Sequence, residues 1–236
     1  MSEFFLELFS EEIPANLQNN SRVFLFESFQ KLFKEKNISF KESNCYSTPN
    51  RLIVYIDKIT KQISKKSEEI RGPNVNSPDK ALEGFLRSNN INKSQVFTKK
   101  TQKGEFYFYK KPSQKINTAS LLREHLPNIL TKITWNKSMK WGNHNFFWGR
   151  PLKSILSIFD GKKLDFNFYH LKSSNITFID KELEEKIKVF NSFKSYSSFF
   201  KSKGILIDQE KRKLFISNEI LKLSLIHISE PTRPRI

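Results

Sequence analysis

One segment of the chain gathers most of the side chains that could do chemistry. From Ile133 to Gly161 the sequence reads ITWNKSMKWGNHNFFWGRPLKSILSIFDG, which holds all three tryptophans together with several basic residues. Because basic groups pair with phosphate and aromatic rings stack on bases, this mixture is typical of a nucleic-acid contact. A tryptophan-rich core with lysines at its rim explains the same residues. Both interpretations stay open, and the candidate contacts are Lys137, Lys140, Arg150, Trp141 and Trp148.

The charge of the chain adds only weakly to the nucleic-acid interpretation. The 236 residues include 41 Lys and Arg against 24 Asp and Glu, a formal net charge of +17, which attracts polyanions. Lysine, asparagine, isoleucine and phenylalanine are abundant together, so a drift toward A/T-rich codons accounts for part of this charge. Arg51 is a further candidate for a phosphate contact, although a charged residue at the edge of a strand explains it equally well.

The sequence lacks the motifs of a self-contained active site. It has no glycine-rich phosphate loop, no metal-binding spacing of histidine or cysteine, and only one cysteine, Cys45, so an internal disulfide and a cysteine-rich zinc site are excluded. No apolar stretch approaches the roughly 20 residues of a membrane helix, and the N-terminus does not resemble a signal peptide. We therefore expect a cytoplasmic protein that holds no metal.

Apolar periodicity and turn residues predict an α+β fold, with mixed or antiparallel sheets and packed amphipathic helices. Helices are expected at about 15–36, from Ser77, from Thr118 and at 181–203. Polar connections are expected at 61–69 and 208–213. Strands are expected at 4–9, 38–47, 52–59, 104–109, 152–159, 164–169 and 205–207. The turn between the strands at 152–159 and 164–169 is Asp160-Gly161.

These elements suggest a division of the chain into 1–62, an N-terminal α+β subdomain, and 63–223, a second α+β region with the tryptophan-rich segment. The remainder, 224–236, is expected to be a non-native tail. Its residues SLIHISEPTRP, from Ser224 to Pro234, resemble a translated sequencing adapter, and its prolines continue neither a helix nor a strand. The native sequence is therefore expected to end near Leu223, and the tail to be disordered.

Seven short blocks follow one another in a fixed order along the chain. They are ELFSEEIPA (7–15), TPNRL (48–52), RGP (71–73), ALEGF (81–85), GEF (104–106), KSMKWG (137–142) and RP (150–151). Each block is weak by itself, but the order and spacing over about 5–170 are specific. Together they resemble the beta subunit of the tetrameric bacterial glycyl-tRNA synthetase.

This resemblance implies that the chain is the N-terminal α+β region of a larger multidomain subunit without the catalytic centre. In that family glycine activation with ATP and Mg is assigned to a separate alpha subunit, so the chain is expected to bind no cofactor and to be inactive alone. The implied partners are the alpha subunit and tRNA-Gly, in an alpha2-beta2 tetramer. The expected role is therefore tRNA binding and assembly in glycine–tRNA ligase. The alternatives are a subunit-interaction module without direct tRNA contact and a stand-alone basic RNA-binding protein.

Overall fold

The structure is a computed structural model that describes residues 2–65, 67–102, 104–140, 143, 145–178 and 188–229. The described helices are α1 (Ala15–Lys36), α2 (Asp79–Asn89), α3 (Thr118–Thr131), α4 (Phe193–Ser202) and α5 (Gln209–Ser229), with a 3-10 turn at Lys93–Gln95. The described strands are β1 (Phe4–Ser10), β2 (Glu42–Thr48), β3 (Arg51–Asp57), β4 (Gln62–Lys65), β5 (Glu68–Asn74), β6 (Val96–Thr101), β7 (Gly104–Lys111), β8 (Gln114–Asn117), β9 (Met139–Lys140), β10 (Phe147–Trp148), β11 (Leu152–Phe159), β12 (Lys162–Lys163), β13 (Asn167–Phe168), β14 (Leu171–Lys172), β15 (Ile176–Thr177) and β16 (Lys188–Val189). In this part of the chain, no helix is long and apolar enough to cross a membrane.

Two compact units divide these elements. One unit is formed by the described residues of Met1–Lys61 and Thr118–Ile236, and the other by those of Gln62–Asn117. The predicted division into 1–62 and 63–223 stays a prediction, and in the structure the chain returns to the first unit at Thr118. No sequence signal marked that return, because Thr118 opens an ordinary amphipathic helix.

The first unit is built on a five-stranded antiparallel sheet in the order β12-β11-β1-β3-β2. Its central strand, β1, is buried along its whole length, which explains its almost continuous run of apolar residues. Successive side chains of a strand point to opposite faces. Accordingly, Phe4 packs on Phe29 of α1, with ring centroids 5.6 Å apart, and Phe5 packs on Tyr196 of α4 at 4.6 Å. The sheet is therefore a layer between α1 and α4.

The second unit contains a three-stranded antiparallel sheet in the order β5-β7-β6, the separate pair β4–β8, and α2. Leu82 of α2 is buried, and Phe85 approaches the backbone of β5 so closely that a Cβ on Gly72 would lie 3.0 Å from its ring. A glycine at this position therefore lets the helix pack tightly on the strand.

The predicted α+β class is confirmed, and the elements α1, α2, α3, β1, β3, β7 and β11 lie close to their predicted positions. The predicted polar connection at 61–69 is wrong in part, because β4 and the start of β5 lie there. Most side chains of these strands are exposed or half-buried, so they lack the apolar alternation by which a strand is recognised.

The predicted hairpin at Asp160-Gly161 is confirmed as a turn but not as a pair of long strands. Only Lys162–Lys163 returns along β11. The expected strand at 164–169 buries Leu164, Phe166 and Phe168 as the alternation indicated. Its backbone is bonded locally instead, for example from the Ser173 N–H to the Phe166 carbonyl at 3.0 Å.

The C-terminal part differs most from the prediction. Of the helix expected at 181–203, residues 181–187 lie outside the described part, Lys188–Val189 pairs with β15, and α4 begins only after Ser192, whose hydroxyl accepts a hydrogen bond from the Ser195 N–H. Residues 205–207 form no strand.

The charged turn expected at 208–213 is the beginning of α5. The Asp208 carboxylate accepts hydrogen bonds from the backbone N–H groups of Glu210 and Lys211, at 2.9 and 3.2 Å, as an N-cap residue does. The backbone of α5 continues to Ser229, which corrects the disorder expected from Ser224 onward. Residues 230–236 lie outside the described part of the chain.

Candidate nucleic-acid interface

The tryptophan-rich segment forms a small antiparallel hairpin in which β9 pairs with β10. Lys140 lies opposite Phe147, and directly opposed residues of two strands share one face. Side chains alternate along β10, so Phe147 is 57% exposed whereas Phe146 and Trp148, on either side of it, are buried. The hairpin therefore presents Lys140 and Phe147 to solvent and points Trp148 into the protein.

Trp148 anchors the hairpin in an aromatic cluster. It is 1% exposed, and its ring lies 5.0 Å from Trp135, 5.5 Å from Phe146 and 6.0 Å from Phe168. Gly149 follows directly, and a Cβ at that position would lie 2.4 Å from the Trp135 ring. Trp148 is thus a core residue in this structure, and no base can stack on it. The other candidate tryptophan, Trp141, lies outside the described residues.

Lys137 and Lys140 have the exposure that a phosphate contact requires. Lys137 lies in the segment between α3 and β9, Lys140 lies on β9, and both side chains are exposed. Met139 between them is 42% exposed. The structure therefore places the two predicted lysines in one short exposed stretch, and pairs Lys140 with the exposed Phe147.

Arg150 lies in a different setting. Its side chain is half-buried, and its guanidinium donates a hydrogen bond to the Gly149 carbonyl at 3.0 Å. It lines a shallow cleft of about 400 Å³ together with Glu11, Glu12 and Pro14. Because two carboxylates share this cleft, a phosphate group meets weaker attraction here than at the hairpin.

Arg51 does not lie at the surface, which corrects its candidacy as a phosphate contact. It is 2% exposed, and its Nε lies 3.3 Å from Oε2 of Glu7. Its guanidinium carbon lies 4.6 Å from the ring centre of Phe9 and 4.7 Å from that of Phe200. It also donates a hydrogen bond to the Phe178 carbonyl. The family-like block TPNRL thus supplies a core residue at this position.

Glu7 is the centre of a buried polar network that the sequence analysis did not find. Its Oε1 accepts a hydrogen bond from the Thr177 hydroxyl, and its Oε2 accepts one from the Tyr196 hydroxyl. Burial raises the pKa of the Glu7 carboxyl, while the Arg51 charge and these hydrogen bonds act in the opposite direction. The sequence did hold a signal, because Glu7 is the charged residue inside an otherwise apolar strand and Arg51 begins another.

This network has the features of a buried structural ion pair rather than of an active site. It joins β1, β3, β15 and α4 beneath the sheet, and its members are buried. Among the residues that the structure describes, no group of three or more His, Cys, Asp or Glu side chains is arranged to hold a metal ion. We call the exposed residues Lys137, Lys140 and Phe147 the hairpin surface.

Comparison with known proteins gives one consistent family. The family described as glycyl-tRNA synthetase beta subunit matches residues 4–230. The chain belongs to this family. The glycine–tRNA ligase beta subunit of Rickettsia typhi is 35% identical over 229 residues, which are 97% of this chain and 34% of that protein. The corresponding subunit of Rickettsia canadensis is 34% identical over 227 residues, 96% of this chain and 34% of its own length.

The match confirms the resemblance that the seven blocks indicated. It extends past the 5–170 region in which those blocks lie, and past Leu223 as far as residue 230. The chain spans about a third of the length of these relatives. The match to the glycyl-tRNA synthetase beta subunit family therefore concerns this region, about a third of the relatives' length.

Proposed function

We propose that this chain is a non-catalytic, tRNA-binding and assembly part of a glycyl-tRNA synthetase beta subunit, supporting the ATP-dependent attachment of glycine to tRNA-Gly. In this proposal the alpha subunit activates glycine with ATP and Mg²⁺, and this chain binds neither ATP nor Mg²⁺. Two copies of each subunit form the complete cytoplasmic enzyme. Family membership supports the assignment of the subunit, and the hairpin surface supports the contact with tRNA.

The observation that carries the tRNA contact is the exposure of Lys137, Lys140 and Phe147 on one small hairpin. Ammonium groups that neutralise phosphates release condensed counterions, which makes binding both strong and salt-dependent. An exposed phenylalanine beside them offers a face on which an unpaired base can stack. The buried Trp148 holds the hairpin in place, so that this surface is present before the RNA arrives.

Charge reversal at the hairpin surface tests the proposal. We expect Lys137→Glu/Lys140→Glu to weaken binding of tRNA-Gly and to reduce the slope of log K against log salt by about two, roughly one per lost phosphate contact. The matched control is Lys34→Glu/Lys162→Glu, which reverses two exposed lysines on α1 and β12 and changes the net charge equally. Unchanged tRNA binding by a folded Lys137→Glu/Lys140→Glu variant, or equal losses in both variants, would exclude the hairpin surface as the contact.

A second candidate function, packing on another protein surface without direct tRNA contact, is favoured by α5. Up to Leu223, where side-chain exposure is described, its large apolar side chains are between 52% and 63% exposed: Leu214, Phe215, Ile216, Ile220, Leu221 and Leu223. Contiguous exposed apolar residues mark protein interaction sites. The helix is attached at its start, where Arg212 donates a hydrogen bond to the Ser47 carbonyl of β2 at 2.8 Å.

Polar substitution on α5 separates the two candidates. If α5 packs on the alpha subunit, Phe215→Ser/Leu221→Ser lowers the amount of alpha subunit that copurifies with the chain and leaves its tRNA affinity unchanged. Full recovery of the alpha subunit with this variant would remove α5 as the subunit contact.

A further inference from the structure

The three-stranded sheet of the second unit has two faces of different chemistry. Register places six basic and aromatic residues on one face, which we call the open face: Arg71, Phe97, Lys99, Phe106, Phe108 and Lys110. Glu69 is the acidic residue that shares it. The other face carries Ile70, Tyr107 and Tyr109 with Lys100 and Lys111, balanced by Glu68 and Glu105. Cations therefore exceed carboxylates on the open face alone.

Helix α2 covers the second of these faces. Gly72, whose missing Cβ would touch Phe85 of α2, lies in a register shift of β5 between Arg71 and Asn74, where β5 passes Tyr107 of this face. Tyr107 and Tyr109 on this face are half-buried. On the open face, Phe108 is buried at 8% exposure and Phe106 is half-buried, whereas Phe97 is 39% exposed and Arg71, Lys99 and Lys110 are exposed.

Rings and cations alternate on the open face in direct contact. The Arg71 guanidinium carbon lies 3.6 Å from the centre of the Phe106 ring. Phe97 stacks on Phe108 with centroids 6.1 Å apart and planes 25° apart. The Lys99 ammonium lies 5.7 Å from the Phe108 ring and 2.9 Å from a carboxylate oxygen of Glu69. Within the described residues, the Arg71 guanidinium forms no hydrogen bond or ion pair, so its donors are free to bind an anion.

We propose that the open face binds a single-stranded segment of RNA. A guanidinium held against a ring offers a flat surface for a base and keeps its N–H donors at its rim for phosphate. Phe97 provides a second stacking surface, and Lys99 and Lys110 supply charge along the backbone of the RNA. Single strands fit this chemistry because their bases are unstacked and accessible, whereas a duplex presents mainly phosphates.

This inference is independent of the hairpin surface, which belongs to the other unit. It holds whether or not Lys137 and Lys140 contact tRNA. The same charge also suits an acidic protein surface, and the experiment below distinguishes that partner from RNA.

The test measures binding of a fluorescent oligoadenylate of about ten nucleotides, and of an RNA duplex of equal length, to the full chain. We expect the single strand to bind more tightly than the duplex, and Phe97→Ala to weaken single-strand binding at least roughly fivefold, since each stacked base contributes that much or more. Arg71→Lys keeps the charge and loses the planar group, so it weakens single-strand binding as well.

The matched pair of variants is Arg71→Gln/Lys110→Gln on the open face and Lys100→Gln/Lys111→Gln on the covered face, each removing two charges from exposed side chains of the same sheet. We expect only the first to weaken binding, and Lys137→Glu/Lys140→Glu to leave the Phe97→Ala effect in place. Equal losses in the two pairs, equal affinity for duplex and single strand, or no affinity for either RNA would overturn the proposal. Loss of alpha-subunit copurification in the first pair, without RNA affinity, would instead assign the face to a protein partner.

Discussion

At the residue scale, Arg51 and Glu7 form a buried ion pair. Their side chains are 3% and 0% exposed and lie 3.3 Å apart. Each charge is costly to bury alone, and removing one partner of such a pair leaves the other uncompensated. The rings of Phe9 and Phe200 on the guanidinium, and the hydroxyls of Thr177 and Tyr196 on the carboxylate, complete their surroundings.

Arg51→Met should destabilise the chain by about 3 to 5 kcal/mol near pH 8, and by less as the pH falls. The Arg51 charge lowers the Glu7 pKa, so its loss raises further a pKa that burial already holds above 4.5. The stability tied to a raised acid pKa is present below 4.5 and is lost as the pH rises through the folded-state value. Urea unfolding at several pH values measures this effect.

The control for this prediction is the double variant Glu7→Gln/Arg51→Met, which buries neither charge. We expect it to be more stable than Arg51→Met at pH 8. A penalty for Arg51→Met that is the same from pH 5 to pH 8 would show that Arg51 acts through packing alone.

Cys45 should resist alkylation in the folded chain. The side chain is buried, and burial raises the pKa of its thiol to about 12, so almost no thiolate is present at pH 8. Labelling with iodoacetamide is expected to follow global unfolding, with complete protection in native buffer and rapid labelling in urea. Rapid labelling of the native chain would place the thiol at the surface.

Some of these residue roles could be predicted from sequence and others could not. Lys137 and Lys140 could be named as candidates from their place among aromatic residues, and both are exposed. The burial of Arg51 and Trp148 could not be predicted, because a basic or aromatic residue at a strand end suits both a surface and a core. Burial at these positions depends on Tyr196, Thr177 and Phe168, which are distant in sequence.

At the scale of elements, two adjacent residues of the β9–β10 hairpin have different roles. Trp148 anchors the hairpin in the core, and Phe147 lies at the surface. Trp148→Ala should cost about 3 to 5 kcal/mol of stability, as for other buried large aromatic residues. Phe147→Ala, at a position that is 57% exposed, should change stability by no more than about 0.5 kcal/mol while weakening tRNA binding. Urea unfolding and tRNA titration of both variants measure the difference. A large stability loss in Phe147→Ala would contradict the assignment of its ring to the surface.

Several elements were predicted well because a number of residues carry the same physical signal. The apolar run of β1, the spacing of α1 and the Asp160-Gly161 turn each combine several residues that agree. The pairs β13–β14 and β15–β16 have two residues per strand, which is too short for any period to appear. The start of α5 was missed for a different reason, since the N-cap role of Asp208 was available in the sequence but was interpreted as a turn.

At the scale of the whole molecule, the two RNA proposals place one surface in each unit. The basic residues behind the net charge of +17 do not all attract a polyanion equally. Arg51 is paired with Glu7 in the core, and Arg150 shares a cleft with two carboxylates. In the two proposals, exposed cations of the hairpin surface and of the open face contact the polyanion. The exposed apolar residues of α5 suit a third kind of contact, with protein.

The most direct test of the central claim is the binding of tRNA-Gly to the full chain across a salt series, with and without the alpha subunit. The account predicts binding by the chain alone, with log K falling linearly and steeply as log salt rises. Binding that appears only when the alpha subunit is present, or that does not depend on salt, would contradict it and would make this region a scaffold for assembly.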